Sequence, residues 1–203
     1  MTPETLKPQG AMTEEDTLKL FTDSGALLQG HFKLTSGRHS DLYYEKFTIL
    51  KNPAVCSPLC QHMAQLFADK QVEVVVGPTT GGVIIAYEVA KALGTHSLYA
   101  EPGSSGDERI FKRGFSLEPN QRVLIVDDIV TTGRSMVEVI KLVESYKATI
   151  IGIGALLDRS GGKVDLGYPL TALTTVSADS WAPEECPLCK DGVELTQRGS
   201  RKS

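Results

Sequence analysis

The sequence predicts an α/β fold built on an open, doubly wound parallel sheet, and three observations carry that prediction. From residue 53 onward, continuous β-branched or aliphatic runs alternate with segments of helical periodicity. The runs lack the in-out alternation of a half-exposed strand, so they belong to strands covered on both faces. Two of them, "VVVGP" and "VLIVDD", pass directly into hydroxyl and glycine residues, the composition expected where such strands end and ligands bind.

Each element follows from local chemistry. A helix opens at Thr13, whose hydroxyl caps it while Asp16 answers from the third position, and it closes near Gly25. The segment "GHFKLTSGRHSDLYYEKFTIL" mixes β-formers with a Ser-Gly turn and reads as short strands around a loop. Between Pro53 and Lys70, the residues Val55, Leu59, Met63, Leu66 and Phe67 recur at helical spacing. Then come a strand in "VEVVVGP", a helix in "GGVIIAYEVAKALG" ending at Gly94, strands in "HSLYA" and "RVLIVDD", a helix in "SMVEVIKLVESY" and a strand in "TIIGIGALLD".

Residues 101–121, "EPGSSGDERIFKRGFSLEPNQ", break the alternation; an interval that long is unusual inside a compact domain and marks a functional lid or an unstructured loop. Residues 1–12 and 196–203 are polar and aperiodic, and both are expected to be poorly ordered tails. A length of 203 residues with 41% hydrophobic content predicts a single domain over 1–203.

Charge narrows the partners. The net charge is −4, and the lysines and arginines are scattered rather than gathered into one stripe, which argues against nucleic acid or an anionic membrane. No apolar run approaches the roughly 18 residues that span a bilayer, and the N-terminus lacks the regions of a signal peptide. A soluble, cytoplasmic protein is expected.

The four cysteines form two close pairs, Cys56/Cys60 and Cys186/Cys189, which in such a protein suggest free thiols or a metal rather than disulfides. "CPLC" has the spacing of half a zinc knuckle, and Cys56 and Cys60 share a helix face. The four thiolates could build a zinc site if the C-terminal segment folds back onto that helix. His31, His39, His62 and His96 lie outside the phosphate-like loops and read as surface or internally satisfied histidines, with His39 the least secure of them because it sits inside "SGRHSD".

The densest chemistry is "VLIVDDIVTTGRS", residues 123–135. Small hydroxyl residues and a glycine leading into a helix make a phosphate cradle of backbone N–H groups. Asp127 and Asp128 would repel a phosphate held directly against them, so they suit hydrogen bonds from sugar hydroxyls. A phosphorylated sugar satisfies both halves. The plainer reading, a capping carboxylate and a turn glycine, does not account for so many features in one stretch. "GPTTGG", Gly77–Gly82, is a second loop at a strand end, less specific alone because ordinary tight loops share its composition.

"VLIVDDIVTTG" closely resembles the phosphoribosyl pyrophosphate (PRPP) signature of type I phosphoribosyltransferases. "HFKLTSGRHSDLYY" and "LLDRSGG" resemble segments of the orotate phosphoribosyltransferases within that superfamily, and the three motifs come in that family's order. The resemblance implies the superfamily's parallel sheet with a small hood formed by the N- and C-terminal segments. It implies that Asp127 and Asp128 hold the ribose hydroxyls, that Thr131, Thr132, Gly133, Arg134 and Ser135 wrap the 5-phosphate with Ile129 and Val130 also in the PRPP site, and that Thr79, Thr80 and Gly81 face the pyrophosphate. Mg²⁺ would bridge pyrophosphate and ribose oxygens without direct protein ligands. For orotate it implies Arg159 on the carboxylate, with Thr131, Tyr43, Tyr44, Ser36, Gly37 and Arg38 around the ring. A half-buried strand would account for the two tyrosines equally well. The partners implied are PRPP, orotate and a second copy of the chain, in a homodimer with shared active sites.

The departures are specific. Better-known bacterial members of that family carry lysines where this chain has Thr35 and Gly81, and a loop with an Arg-Lys pair, a further lysine and a histidine. Here residues 101–121 hold Arg109, Lys112 and Arg113 and no histidine, like a shorter-loop branch. Lys112 and Arg113 are the expected catalytic cations, although solvated charges on a loop would look the same. The PRPP motif alone does not choose the acceptor, so transfer to another base, or PRPP sensing without catalysis, stays open at this point.

Overall fold

The computed structural model describes residues 12–34, 36–104, 106, 108–177 and 179–197; Thr35 and most of both predicted tails lie outside the described residues. In chain order the elements are α1 (Glu14–Asp23), β1 (Leu27–Lys33), β2 (His39–Tyr44), α2 (Lys46–Leu50), α3 (Pro53–Leu66), a 3-10 turn (Ala68–Lys70), β3 (Val74–Pro78), α4 (Gly81–Leu93) and β4 (His96–Pro102). They continue with β5 (Arg109–Ile110), β6 (Arg122–Val130), α5 (Arg134–Ser145), β7 (Thr149–Asp158), β8 (Leu170–Thr175), β9 (Ser180–Trp181), α6 (Pro187–Lys190) and β10 (Thr196–Gln197). No helix among the described residues is long and apolar enough to cross a membrane.

The main sheet has the order β5-β4-β3-β6-β7-β8 and is parallel except for the β5 edge. Val75, Leu124, Val126 and Leu156 pack on one face against Leu59 and Met63 of α3 and Ile85 and Val89 of α4. Val74, Val76, Val123, Ile125 and Ile153 pack on the other against Met136, Val139, Ile140 and Val143 of α5. Burial on both faces explains the unbroken apolar runs, and each fully buried aliphatic side chain contributes roughly 1.5–3 kcal/mol. Because β4 and β6 flank β3 on opposite sides, the chain reverses its winding direction at the β3/β6 pair, and the loops after β3 and β6 meet there.

A smaller sheet, β10-β1-β2-β9, forms the hood from both ends of the chain. β1 and β2 pair antiparallel across the Ser36–Gly37 turn, where Gly37 N–H donates to Leu34 O and Leu34 N–H to Arg38 O. The capping box of Thr13 and Asp16 opens α1 as its sequence predicts.

Four details differ from the sequence reading. β6 runs two residues past the acidic pair, with Ile129 opposite Leu157 and Val130 opposite Asp158, so both aspartates sit inside the ladder. β8 was not predicted, because its Thr-rich "LTALTT" does not have the density of an internal strand. Residues 101–121 contribute to the main sheet: β4 extends to Pro102 and pairs with Arg109–Ile110. Thr196 and Gln197, assigned to an unordered tail, pair in parallel with Phe32 and Lys33 of β1.

Candidate active site

Asp127 and Asp128 are 6% and 3% exposed, so their charges have little water to rely on. The chain supplies fixed donors instead. Asp127 Oδ1 accepts the Asp128 N–H at 2.8 Å and Oδ2 accepts the Ser135 hydroxyl at 3.2 Å. Asp128 Oδ1 accepts the Ile129 N–H at 2.7 Å, and Lys46 Nζ lies 3.1 Å from its Oδ2. Burial, and then the neighbouring Asp128 charge, push the Asp127 carboxyl up to about 7, against the pull of its hydrogen bonds and Lys46. The pair is poised to accept donors that arrive with a ligand.

The turn after β3 approaches this pair closely. A Cβ on Gly81 would stand 1.5 Å from Asp128 Oδ2, and one on Gly77 would stand 2.1 Å from Gly82 O. Only glycine lets the start of α4 reach the carboxylate. The Thr79–Thr80 peptide is cis, Thr79 N–H donates to Ala100 O, and no side chain caps α4.

Beyond β6, Gly133 at φ +74° turns the chain into α5, and a Cβ there would meet Leu166 and Val164 at 2.8 Å each. α5 also lacks a side-chain cap, so its first-turn N–H groups, with the positive end of the helix dipole, are left for a ligand anion. An open cleft of about 410 Å³ is lined there by Ile129, Val130, Thr131, Thr132, Gly133, Arg134 and Ser135, with Gly106, Arg109 and Glu138 completing it. Glu138 holds two cations at once, Arg134 Nε at 2.9 Å and Arg109 Nε at 3.2 Å. Arg109 reaches on to the Thr79 hydroxyl at 2.9 Å and so couples the loop after β3 to the loop after β6.

Beside this cleft β7 ends at Asp158, and the Arg159 N–H donates to Val130 O at 2.8 Å. Asp158 Oδ1 and Oδ2 accept the N–H groups of Ser160 and Gly162, at 2.7 and 3.0 Å, which holds the turn that presents Arg159. The guanidinium carbon of Arg159 stands 5.6 Å from the Tyr44 ring centre. Burial draws the guanidinium down from its ordinary value and pushes the Tyr44 hydroxyl up to about 12.

Paired buried carboxylates near the end of β6 thus stand beside two uncapped helix starts and the arginine presented after β7. Residues 48–188 match the family model described as "Phosphoribosyl transferase domain". Over 191 residues the chain is 46% identical to the orotate phosphoribosyltransferase of Pelotomaculum thermopropionicum, covering 94% of this chain and 100% of that one. The chain belongs to the orotate phosphoribosyltransferase family. It is 42% identical to the orotate phosphoribosyltransferase of Desulforamulus reducens, over 94% of this chain and 99% of that one. The crystal structure of orotate phosphoribosyltransferase from Aeropyrum pernix superposes with a TM-score of 0.66 at 28% identity, covering 78% of this chain and 92% of that one.

Within this orotate phosphoribosyltransferase frame, several residues fall elsewhere than the sequence reading put them. Lys112 and Arg113 do not line the cleft; both pair with Glu101, at 3.4 and 3.2 Å, and are largely exposed. Arg109, the other cation of the same interval, lines the cleft instead. Lys46, also unanticipated, is the cation beside the acidic pair. Neither carries a motif, because each reaches its partners only through the fold. Lysine is excluded at 81 by Asp128 itself.

Tyr44 meets Arg159 and Tyr43 packs on Phe32 at 5.5 Å, while Arg38 is bound by Ser180 of β9. Ser36, Gly37 and Arg38 lie in the turn that precedes β2, at the opposite end of that strand from Tyr44.

The proposed four-sulfur cluster is also rearranged. Cys56 and Cys60 do share a helix face, with their sulfurs 3.9 Å apart, but α3 buries that face in the core. Cys186 and Cys189 meet the hood histidines His31 and His39 instead.

Proposed function

We propose that the chain transfers the phosphoribosyl group of PRPP to orotate, giving orotidine 5′-phosphate and pyrophosphate in pyrimidine biosynthesis. The observation that carries this reading is that Arg159 directly follows β7, the strand beside the one with the acidic pair, with its N–H bonded to Val130 O at the start of the loop after β6. Asp127 and Asp128 accept the ribose hydroxyls, the N–H groups from Thr131 to Ser135 hold the 5-phosphate, and Arg109 with Thr79, Thr80 and Gly81 holds the pyrophosphate. Arg159 grips the orotate carboxylate with its fork while Tyr44 walls the ring, Tyr43 supporting it from the hood.

A ring nitrogen of orotate then takes the anomeric carbon as the carbon–oxygen bond to pyrophosphate breaks. Positive charge grows on the sugar and negative charge on the leaving group, as in other oxocarbenium-like displacements. The acidic pair offsets the first and Arg109 the second, so the protein's contribution is positioning and electrostatics.

Mg²⁺ brought in with the substrates would neutralise the pyrophosphate, and Asp127 and Asp128 are the residues that would help to hold the sugar carrying it.

Two copies would complete the unit, acting as one cytoplasmic phosphoribosyltransferase domain each. Phe47, Ile84 and Tyr87 stand exposed on α2 and α4, an apolar surface of the kind a subunit interface covers. Lys112 and Arg113, exposed and off their own cleft, serve the partner's pyrophosphate. Lys112→Ala combined with Arg113→Ala is expected to lower kcat several-fold to thousand-fold. An unchanged rate, or a fully active monomer by light scattering, would end the shared-site reading.

The deciding assay follows pyrophosphate from PRPP and Mg²⁺ with orotate, uracil, adenine or hypoxanthine. Orotate alone should support release; use of a purine in its place overturns the acceptor, and release with none favours a PRPP sensor. Arg159→Ala should raise the KM for orotate by about 100-fold, the scale of a lost buried charge contact, with little change in that for PRPP. Equal damage to both would mean that Arg159 does not read the acceptor.

A further inference from the structure

We infer that His31, His39, Cys186 and Cys189 form a structural zinc site that locks the C-terminal segment onto the hood. The site is separate from the reaction described above and does not depend on it. One ligating atom from each residue lies within 4.8 Å of every other. His31 Nε2 and His39 Nδ1 are 3.0 Å apart; Cys186 Sγ is 3.4 Å and Cys189 Sγ 3.7 Å from His31 Nε2, and Cys189 Sγ is 3.3 Å from His39 Nδ1. A tetrahedral zinc ion with bonds of about 2.3 Å to sulfur and about 2.0–2.1 Å to nitrogen sets nitrogen pairs about 3.3 Å apart and nitrogen–sulfur pairs about 3.6 Å apart. The four pairs given lie within about 0.3 Å of those separations, and the remaining two pairs lie within 4.8 Å.

The surroundings fit a ligand set better than a hydrogen-bonded core. His31 Nδ1 lies 2.8 Å from Val193 O; a carbonyl only accepts, so Nδ1 carries the proton and Nε2 presents its lone pair to the cluster. A ligating histidine is oriented in just this way. His31, His39 and Cys186 are 2%, 4% and 0% exposed; without a metal the His39 Nδ1–H can donate to His31 Nε2, but the sulfurs of Cys186 and Cys189 have only those ring nitrogens as weak partners. Two thiolates balance the charge of Zn²⁺, leaving a neutral buried centre, and the two thiol protons leave to solvent on binding. Two sulfur and two imidazole ligands suit zinc over Mg²⁺ or Ca²⁺.

The ligands come from three places in the chain: β1, the start of β2, and the "CPLC" turn into α6. Zinc would therefore join the two termini that make up the hood, next to the β10–β1 pairing.

The test begins with untagged wild-type protein purified without chelator. Metal analysis should find about one zinc per chain, and X-ray absorption should show two sulfur and two nitrogen neighbours. Cys189→Ser changes the exposed ligand and should reduce bound zinc to under about a tenth of an equivalent while the fold survives, judged by circular dichroism. Cys56→Ala with Cys60→Ala should keep its zinc. Wild-type protein with under about a tenth of an equivalent after refolding with added zinc, a four-sulfur first shell, or a Cys186–Cys189 disulfide found by mass spectrometry would each overturn the site.

Discussion

Gly81→Lys, which introduces the lysine that the family resemblance leads one to expect there, is expected to lower kcat/KM by about 100-fold or more, the cost of displacing a catalytic group by about an ångström. The reason is local and steric. Any Cβ at 81 falls 1.5 Å from Asp128 Oδ2 and 3.1 Å from Leu50 Cδ1. The carboxylate must then swing away from Lys46, or α4 must back out from β6, and either movement separates the two loops at the switch point. Gly81→Ala should do most of the same damage, since the clash is with the first side-chain carbon. Steady-state kinetics with PRPP varied, beside a thermal melt to show that the chain still folds, measures this. Activity within a few-fold of wild type in both variants would mean that the approach of α4 to Asp128 has no part in the reaction.

Asp127→Asn should cost about 10²–10³-fold in kcat/KM for PRPP, the range seen when one fixed electrostatic contact is removed from a transition state. It should also change the pH profile. Only an ionised Asp127 accepts freely from ribose hydroxyls, and burial beside Asp128 raises its carboxyl to about 7. The wild-type kcat/KM for PRPP should therefore climb as pH rises through about 7, and the variant should lack that limb. Folding of the ligand-free protein should move the opposite way. The folded value lies above the ordinary 3.8, so the contribution of Asp127 to stability is fully present below about 4 and is lost as pH rises through about 7. Melting temperatures across that window should fall in the wild type more steeply than in Asp127→Asn; parallel curves would show that Asp127 is not held in its neutral form.

Much of this was legible in the residues. The sheet could be read because strands buried on both faces must be apolar throughout, and the acidic pair with the glycine turn into α5 because Asp127, Asp128, Thr131, Thr132 and Gly133 are close together in the chain. Arg159 could be read by resemblance, as it lies directly after a strand. What stayed hidden depends on long separations. Lys46 lies 82 residues from Asp128, and Arg109 lies 30 residues from Thr79, so no spacing rule joins either pair. The four-sulfur grouping of the cysteines failed for the same reason. Cys56 and Cys60 matched each other along a helix, but the partners of Cys186 and Cys189 were histidines at the far end of the chain. Each of those histidines looks ordinary alone.

The division of labour between the two sheets has an evolutionary corollary. In the proposed reaction, everything assigned to the sugar, its phosphate and the leaving group hangs from β3, β6, α4, α5 and the strap that carries Arg109, whereas the acceptor is assigned to a residue after β7 and a ring on the hood. The donor half is thus a fixed cartridge and the acceptor half an interchangeable one. A lineage could trade one nucleobase for another by rebuilding the hood and the turn after β7, without disturbing the strand ladder that sets the donor geometry.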